Sequence, residues 1–369
     1  SSIAESQLIG TIVMKHYERR LEQDEQDIRE KTAAIAAMVG EALKNSVHAV
    51  RTGNDKLANL TVLGDGEINR AVRAVDRDCH RFIVRHLPSA GHLRLRSATI
   101  RAVIALERIG DFAVSIARVA SRLSSPPDHN LASAMDNMAA DASDMLERAM
   151  QAFVEGNAEQ AKALKVMADQ VERLQASALD DLAHGHSERS VDDLFAMFVM
   201  FSMLERVSDQ AKNLCEEAIF AATGETKAEK VYRILFLDQE DSRLAPMAEA
   251  LARHNFPNSG EYESAALTPA EALDPAMVEY MAARGIDVSG VKPHVMDKGP
   301  IELAEFHVVI SLQGPVSNYL KDVPFHTATL EWDVAQSPDD ASLDYEAVYR
   351  ALSVELRQLM ERLRGPEAD

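Results

Sequence analysis

The sequence predicts two fold classes in one chain: an all-α first part of two antiparallel three-helix bundles, then an α/β domain with a parallel sheet. Three observations carry this. The pattern LERxxD occurs twice, as LERIGD from Leu106 and LERVSD from Leu204, 98 residues apart, which implies two copies of one helical unit. Residues 8–223 show apolar spacing of about 3.6 residues almost throughout, the signature of amphipathic helices. After Phe220, short apolar runs alternate with helical patterns, the order expected of a parallel sheet covered on both faces.

The helical elements follow from their punctuation. Breaks fall at Thr52-Gly53-Asn54, Leu87-Pro88-Ser89, Ser125-Pro126-Pro127, Glu155-Gly156-Asn157 and His184-Gly185-His186. They leave six helices in two sets of three. Gly53-Asn54 and Gly156-Asn157 repeat as the same turn 103 residues apart, and Pro126-Pro127 separates the copies. Short connections make neighbouring helices antiparallel. The expected domains are residues 8–126 and 127–222, a polar linker at 223–230 and an α/β domain at 231–365. Within the last, strands are expected at 232–237, 263–267, 306–310 and 327–330, and helices at 245–255, 274–284 and 345–364.

A chain of 369 residues is long enough for two or three domains with cores of their own. The net charge of −20 argues against non-specific nucleic-acid binding and against a polybasic membrane patch. About −13 of it falls from Val231 onward, where 24 acidic residues face 11 Lys and Arg. No apolar run reaches the roughly 18–20 residues of a membrane span; the run at 194–203 is too short. With no secretory signal apparent, the expected location is the cytoplasm. Two cysteines, Cys79 and Cys215, exclude a disulfide scaffold and any CxxC motif, and read as small buried hydrophobes.

Each LERxxD copy places two carboxylates one turn apart on one helix face: Glu107 with Asp111, and Glu205 with Asp209. The stripes continue to Ser115 and Asn213, while Arg108 and Arg206 project about 100° away. The preceding helix of each copy adds a carboxylate and an imidazole four apart, Asp76 with His80 and Asp180 with His184, offset by 104 residues. Asp65 extends the acidic surface. Carboxylates and imidazoles on facing helices are the usual donors of a metal site in a bundle. The competing reading is a set of inter-helix salt bridges to the many arginines.

The segment HLPSAGHLRLRSATIRAVIALERIGDFAVSIAR, from His86, resembles the signature of the PhoU family, as do VLGDGEIN around Asp65 and the Gly53-Asn54 turn. The resemblance covers residues 10–222. Departures are His92 where the signature has an aspartate before Leu-Arg, Ser115 in place of Asn, and Ser208 in place of the second glycine. The resemblance implies two three-helix bundles related by a pseudo-twofold. It implies divalent or trivalent metal ions, often iron or zinc, on the stripes of Glu107/Asp111 and Glu205/Asp209. It also implies a negative regulator of phosphate uptake and phosphate-responsive two-component signalling. The implied partners are a phosphate ABC transporter or a phosphate-sensing histidine kinase, with a homodimer as a further possibility and no nucleic acid. A metal-sensing bundle without a phosphate role is the alternative.

The run ILFLDQEDSRLAPMAEAL, from Ile234, reads as strand, loop and helix. It resembles the low-molecular-weight tyrosine phosphatase and arsenate reductase family, whose loop is Cys-x5-Arg-Ser before a PMAEAL helix. Matches at TPAEALDPAMVEYMAARGIDVSG, EFHVVISL and LEWDVAQSP extend the resemblance over residues 231–365. Such chemistry needs a thiolate, backbone N–H donors at a helix N-terminus and an arginine on the oxyanion. Aligned on the helix, Asp238 stands at the cysteine, Leu244 at the arginine and Ala245 at the assisting hydroxyl. Glu240 and Asp241 replace small residues, and Ser311-Leu312-Gln313 offers no general acid. No catalytic residue is therefore assigned and the domain is expected to be inactive. The alternatives are a cation held by Asp238, Glu240 and Asp241, or a phosphatase or arsenate reductase.

Overall fold

The computed structural model describes residues 2–185, 189–227, 230–297, 300–324, 326–334, 343–366 and 368. They form two compact units, residues 1–227 and 228–369. The first unit is all-helical: α1 (Ser2–Thr52), α2 (Asp55–His86), α3 (Ala90–Ala120), α4 (His129–Glu155), α5 (Ala158–Leu164), α6 (Val166–Gly185) and α7 (Val191–Thr223).

Local chemistry sets these boundaries. Gly53 and Gly156 adopt φ of +64° and +65°, the left-handed geometry that ends α1 and α4 at little cost only for glycine. The asparagine after each then caps the next helix: Asn54 Oδ1 accepts from Leu57 N at 3.0 Å, and Asn157 Oδ1 from Gln160 N at 3.0 Å. Asp128 and Ser190 cap α4 and α7 in the same way. Two readings of the helices need correction. The first begins at Ser2 instead of residue 8. The second helix of copy two is two helices, α5 and α6, divided at Lys165. At the last break, His186 lies outside the described residues.

α3 and α7 are central. Each buries an apolar stripe through the LER motif: Ala102, Leu106, Ile109 and Ala113 on α3, and Met200, Leu204, Val207 and Ala211 on α7. Both stripes belong to one continuous core that runs from Ile28 to Ile219. Cys79 and Cys215 are free and buried, and burial pushes both thiols up to about 11, so they pack as hydrophobes.

The second unit is a four-stranded parallel sheet in the order β2-β1-β3-β4. Its elements are β1 (Tyr232–Leu237), α8 (Leu244–Asn255), β2 (Gly260–Ala265), α9 (Pro275–Ala282), α10 (Pro300–Leu303), β3 (Val308–Ser311), a 3-10 turn (Val316–Asn318), β4 (Ala328–Glu331) and α11 (Tyr345–Arg364). Two apolar clusters cover the sheet, one built around Phe236 and Leu352 and the other around Leu235 and Phe306. Every predicted strand is present; β1 has the predicted ends, and the other three are shifted. β2 starts earlier than residue 263 because its ladder to β1 begins at Gly260 opposite Tyr232. β3 starts later than residue 306 because its ladder to β1 begins at Val308 opposite Ile234, and just before it the His307 ring takes the Arg233 N–H at 3.0 Å. α9 stops short of residue 284 at a turn closed by Gly285, φ +79°. In the LEWDVAQSP segment, residues 335–338 lie outside the described residues.

β1 has β2 on one side and β3 on the other, so the chain leaves it in opposite directions. The carboxyl end of β1 is therefore the topological switch point, where parallel sheets open a crevice. Asp238 is the first residue beyond that end.

Candidate functional site: two acidic stripes and a loop at the switch point

On α3, Glu107 is half-buried and Asp111 exposed. Asp65 of α2 stands beside them: a Cβ built on Gly110 would lie 3.9 Å from Asp65 Oδ1. Burial and the Asp65 charge push the Asp111 carboxyl above the usual range. Asp65 Oδ2 accepts from Asn69 Nδ2 at 2.7 Å, while Oδ1 of Asp65 and Oδ1 of Asn69 are both buried without a partner. Two orphaned oxygens beside a carboxylate pair are costly unless a cation or a water satisfies them.

The second stripe is arranged differently. Burial, then Asp209 and Glu172 of α6, push the Glu205 carboxyl up to about 7. Lys212 Nζ lies 3.6 Å from Asp169 Oδ1, which brings an ammonium to this side of α7. Arg206 partly offsets the Glu205 shift, and its guanidinium lies 5.9 Å from the centre of the Phe112 ring on α3. Among the described residues, no ion pair involves Glu107, Asp111, Glu205 or Asp209. Among the described residues, these four carboxylates do not form the inter-helix salt bridges of the competing reading.

The remaining predicted ligands stand apart. His80 Nδ1 lies 2.8 Å from the Asp76 carbonyl oxygen, and His184 Nδ1 lies 3.0 Å from that of Asp180, so each ring turns back on its own helix. Both pairs face solvent. Ser115 Oγ donates to the Asp111 carbonyl at 3.0 Å, and Asn213 Nδ2 donates to Gln210 Oε1 at 3.3 Å. Among the described residues, no group of three or more His, Cys, Asp and Glu side chains converges as a metal cluster. Sequence reasoning missed Asn69 and Glu172. Asn69 sits four residues after Asp65, a signal that was available. Glu172 lies 103 residues after Asn69, the offset of the Gly-Asn turns, and helix packing brings it to Glu205.

The loop at the switch point is shaped by Asp238. Its side chain is buried at the mouth of β1, with the residue 3% exposed. Oδ1 accepts from Glu240 N at 3.2 Å and Asp241 N at 2.5 Å, and Oδ2 accepts from Leu244 N at 3.0 Å and Ala245 N at 2.9 Å. Burial pushes this carboxyl above its usual range, and the four backbone donors oppose the shift only in part. Asp241 takes a left-handed φ of +49°, which Asp and Asn tolerate better than other side chains. Its Oδ2 accepts from His294 N at 2.6 Å, and its Oδ1 is buried without a partner. Burial, reinforced by Asp238 and Glu249, pushes the Asp241 carboxyl up to about 7.

The loop is also fastened from outside. Ala270 N donates to Glu240 O at 2.8 Å, Asp274 N to Ser242 O at 3.0 Å, and Gln239 N to Gln313 Oε1 at 3.2 Å. Gln313, in the segment that offers no general acid, therefore borders the loop as a hydrogen-bond acceptor. Leu244 and Ala245 sit in the first turn of α8 and are fully buried. The position aligned with the anion-binding arginine is an apolar packing residue.

Comparison with known proteins agrees with both halves. The PhoU domain matches residues 32–120 and 135–218, and low molecular weight phosphotyrosine protein phosphatase matches residues 233–367. A phosphate-specific transport system accessory protein PhoU homolog from Pseudomonas aeruginosa is 27% identical over 212 residues, covering 57% of this chain and 88% of that protein. Its counterpart from Clostridium acetobutylicum is 26% identical over 206 residues, covering 55% and 94%. The crystal structure of PhoU from Pseudomonas aeruginosa, at 27% identity and a TM-score of 0.52, covers 55% of this chain and 99% of its own. The chain is an N-terminal PhoU domain fused to a C-terminal domain like low molecular weight phosphotyrosine protein phosphatase.

Proposed function

We propose that this protein is a regulator of phosphate homeostasis that restrains phosphate uptake and phosphate-responsive two-component signalling through protein contacts of its helical unit. The observation that carries this is the PhoU match over both copies of the repeat. The relatives named as phosphate-specific transport system accessory proteins align over nearly their whole length. No described helix is long and apolar enough to cross a membrane. The protein would act from the cytoplasm, docking on a phosphate transporter or a phosphate-sensing kinase when phosphate is plentiful. Deleting its gene should raise phosphate uptake and phosphate-starvation transcription in replete medium. Unchanged values of both would overturn the reading.

The stripes are proposed as cation sites. In copy one, Asp65, Asn69, Glu107 and Asp111 offer oxygen donors, two of them orphaned, and fit a hard cation such as iron. In copy two, Glu205, Asp209 and Glu172 would take a cation in exchange for the proton that burial favours on Glu205. A bound cation would supply the positive charge that orders these carboxylates and shapes a docking face. Elemental analysis of the purified protein tests this: Glu107→Ala and Asp209→Ala should each lower the metal content, and full retention in both would remove the stripe assignment.

The C-terminal domain is proposed to be non-catalytic. Asp238 replaces a thiolate nucleophile with a weaker one whose oxygens are already engaged, and Leu244 supplies no charge to an oxyanion. The full chain should therefore show no turnover of an aryl phosphate above buffer. Turnover that disappears in Asp238→Ala would reverse this.

A further inference from the structure

We propose that the loop between β1 and α8 is an oxyanion cradle whose ligand is the chain's own Asp238 carboxylate. The donors are the backbone N–H groups of Glu240, Asp241, Leu244 and Ala245, which converge on two oxygens from both ends of the loop. Such a nest of N–H groups at a helix N-terminus is an arrangement that attracts a small anion. Here the anion is covalently attached.

The geometry is not that of an ordinary helix cap. A capping side chain accepts from the N–H two or three positions ahead of it. Asp238 reaches donors six and seven residues ahead, at the start of a 12-residue helix. The side chain of Arg243, at the N-cap position itself, makes no capping bond. The intervening loop closes around the carboxylate instead. Asp241 turns through its left-handed φ to point its N–H inward, and its own carboxylate is tied to His294 N on the far side. Carbonyls of the loop face outward to Ala270 and Asp274, so the inward N–H groups are left to the anion.

The consequence is a domain held in its anion-filled form whatever the phosphate concentration. An external oxyanion must displace a buried carboxylate that already accepts four hydrogen bonds, and it meets Glu240 as a further negative charge. The unsubstituted chain therefore does not read phosphate at this loop. Removing the Asp238 side chain opens the cradle to formate, and to phosphate or sulfate where the space allows.

The test uses the full-length chain labelled with 15N, following the amides of residues 240, 241, 244 and 245. Sodium formate, phosphate and sulfate are titrated against sodium chloride at matched ionic strength. The unsubstituted protein should show no saturable shift at these amides. Asp238→Gly should show saturable shifts with formate, and its thermal midpoint should rise with the logarithm of formate concentration. Saturable phosphate shifts in the unsubstituted protein would overturn the proposal, and so would a folded Asp238→Gly that ignores all three anions. If Asp238→Gly does not fold, Asp238→Asn decides. Its NH2 group faces two backbone donors, so its midpoint should fall and two of the four amides should move. An Asn variant with unchanged midpoint and amides would also overturn the proposal.

Discussion

Single carboxylates in this protein are tuned by what surrounds them, and burial raises two of them to about 7. Asp241 is fully buried, with one oxygen unpartnered and its carboxyl pushed up to about 7. The folded chain therefore holds a proton there that the unfolded chain releases near pH 4. Stability from this group is present below that pH, falls as pH rises toward 7, and stays lost above it. Asp241→Asn keeps the left-handed backbone and presents an N–H where Oδ1 had no partner. It should match the unsubstituted protein at pH 4 and exceed it by about 1–3 kcal/mol at pH 8, read from denaturant midpoints. Equal stability at pH 8 would show that Asp241 is already satisfied. Glu205 follows the same sign between its unfolded value near 4.5 and about 7. Glu205→Gln should flatten that part of the pH profile of the helical unit, and a profile of unchanged slope would place the titration elsewhere. The charge that makes Glu205 costly above pH 7 is also what a cation would exploit, so the two explanations meet in one residue.

At the scale of elements, the repeated turns show how much of the fold was open to reading. Gly53-Asn54 and Gly156-Asn157 announced themselves because two separate requirements, a left-handed backbone and an oxygen cap, favour one residue type each. Asn54→Ala and Asn157→Ala should each cost about 1 kcal/mol in the denaturation of the helical unit, and a silent pair would mean that packing alone sets these ends. Gly110 tests the opposite case. It lies inside α3, its φ is not left-handed, and a Cβ there would meet Ile68 at 3.4 Å, an ordinary contact. Ser208 holds the matching place on α7. Gly110→Ala should therefore stabilise the helical unit by up to about 1 kcal/mol through helix propensity, and a loss instead would show that α2 cannot yield around Ile68 and Asp65. Helix identities and the strand order of appearance were legible because periodicity is local. The split at Lys165, the ends of β2 and β3, and the meeting of Asp65 with Asp111 were not, because each depends on a partner distant in sequence. The loop divides in the same way. Loss of the thiol and the arginine is visible in the residues themselves, but the convergence of four N–H groups on Asp238 exists only once the backbone is folded.

The whole molecule is two units with separate cores, and its stability should divide accordingly. The helical unit has one continuous apolar cluster, drawn from all seven helices between Ile28 and Ile219. The α/β unit has its own clusters on the two faces of its sheet. Leu106 and Leu352 are each fully buried in their respective cores. Truncating a buried leucine removes transfer free energy and leaves a cavity, typically about 2–5 kcal/mol. For domains of this size that is a shift on the order of 5–15 °C in the thermal midpoint. Differential scanning calorimetry of the full chain should resolve two transitions. Leu106→Ala should lower one of them and Leu352→Ala the other, with the second transition of each variant staying in place. If either substitution moved both transitions equally, the units would unfold as one cooperative body. A change at the Asp238 loop could then reach the acidic stripes through stability alone. Independent transitions instead leave the helical unit free to carry the regulatory contacts whatever the state of the filled cradle.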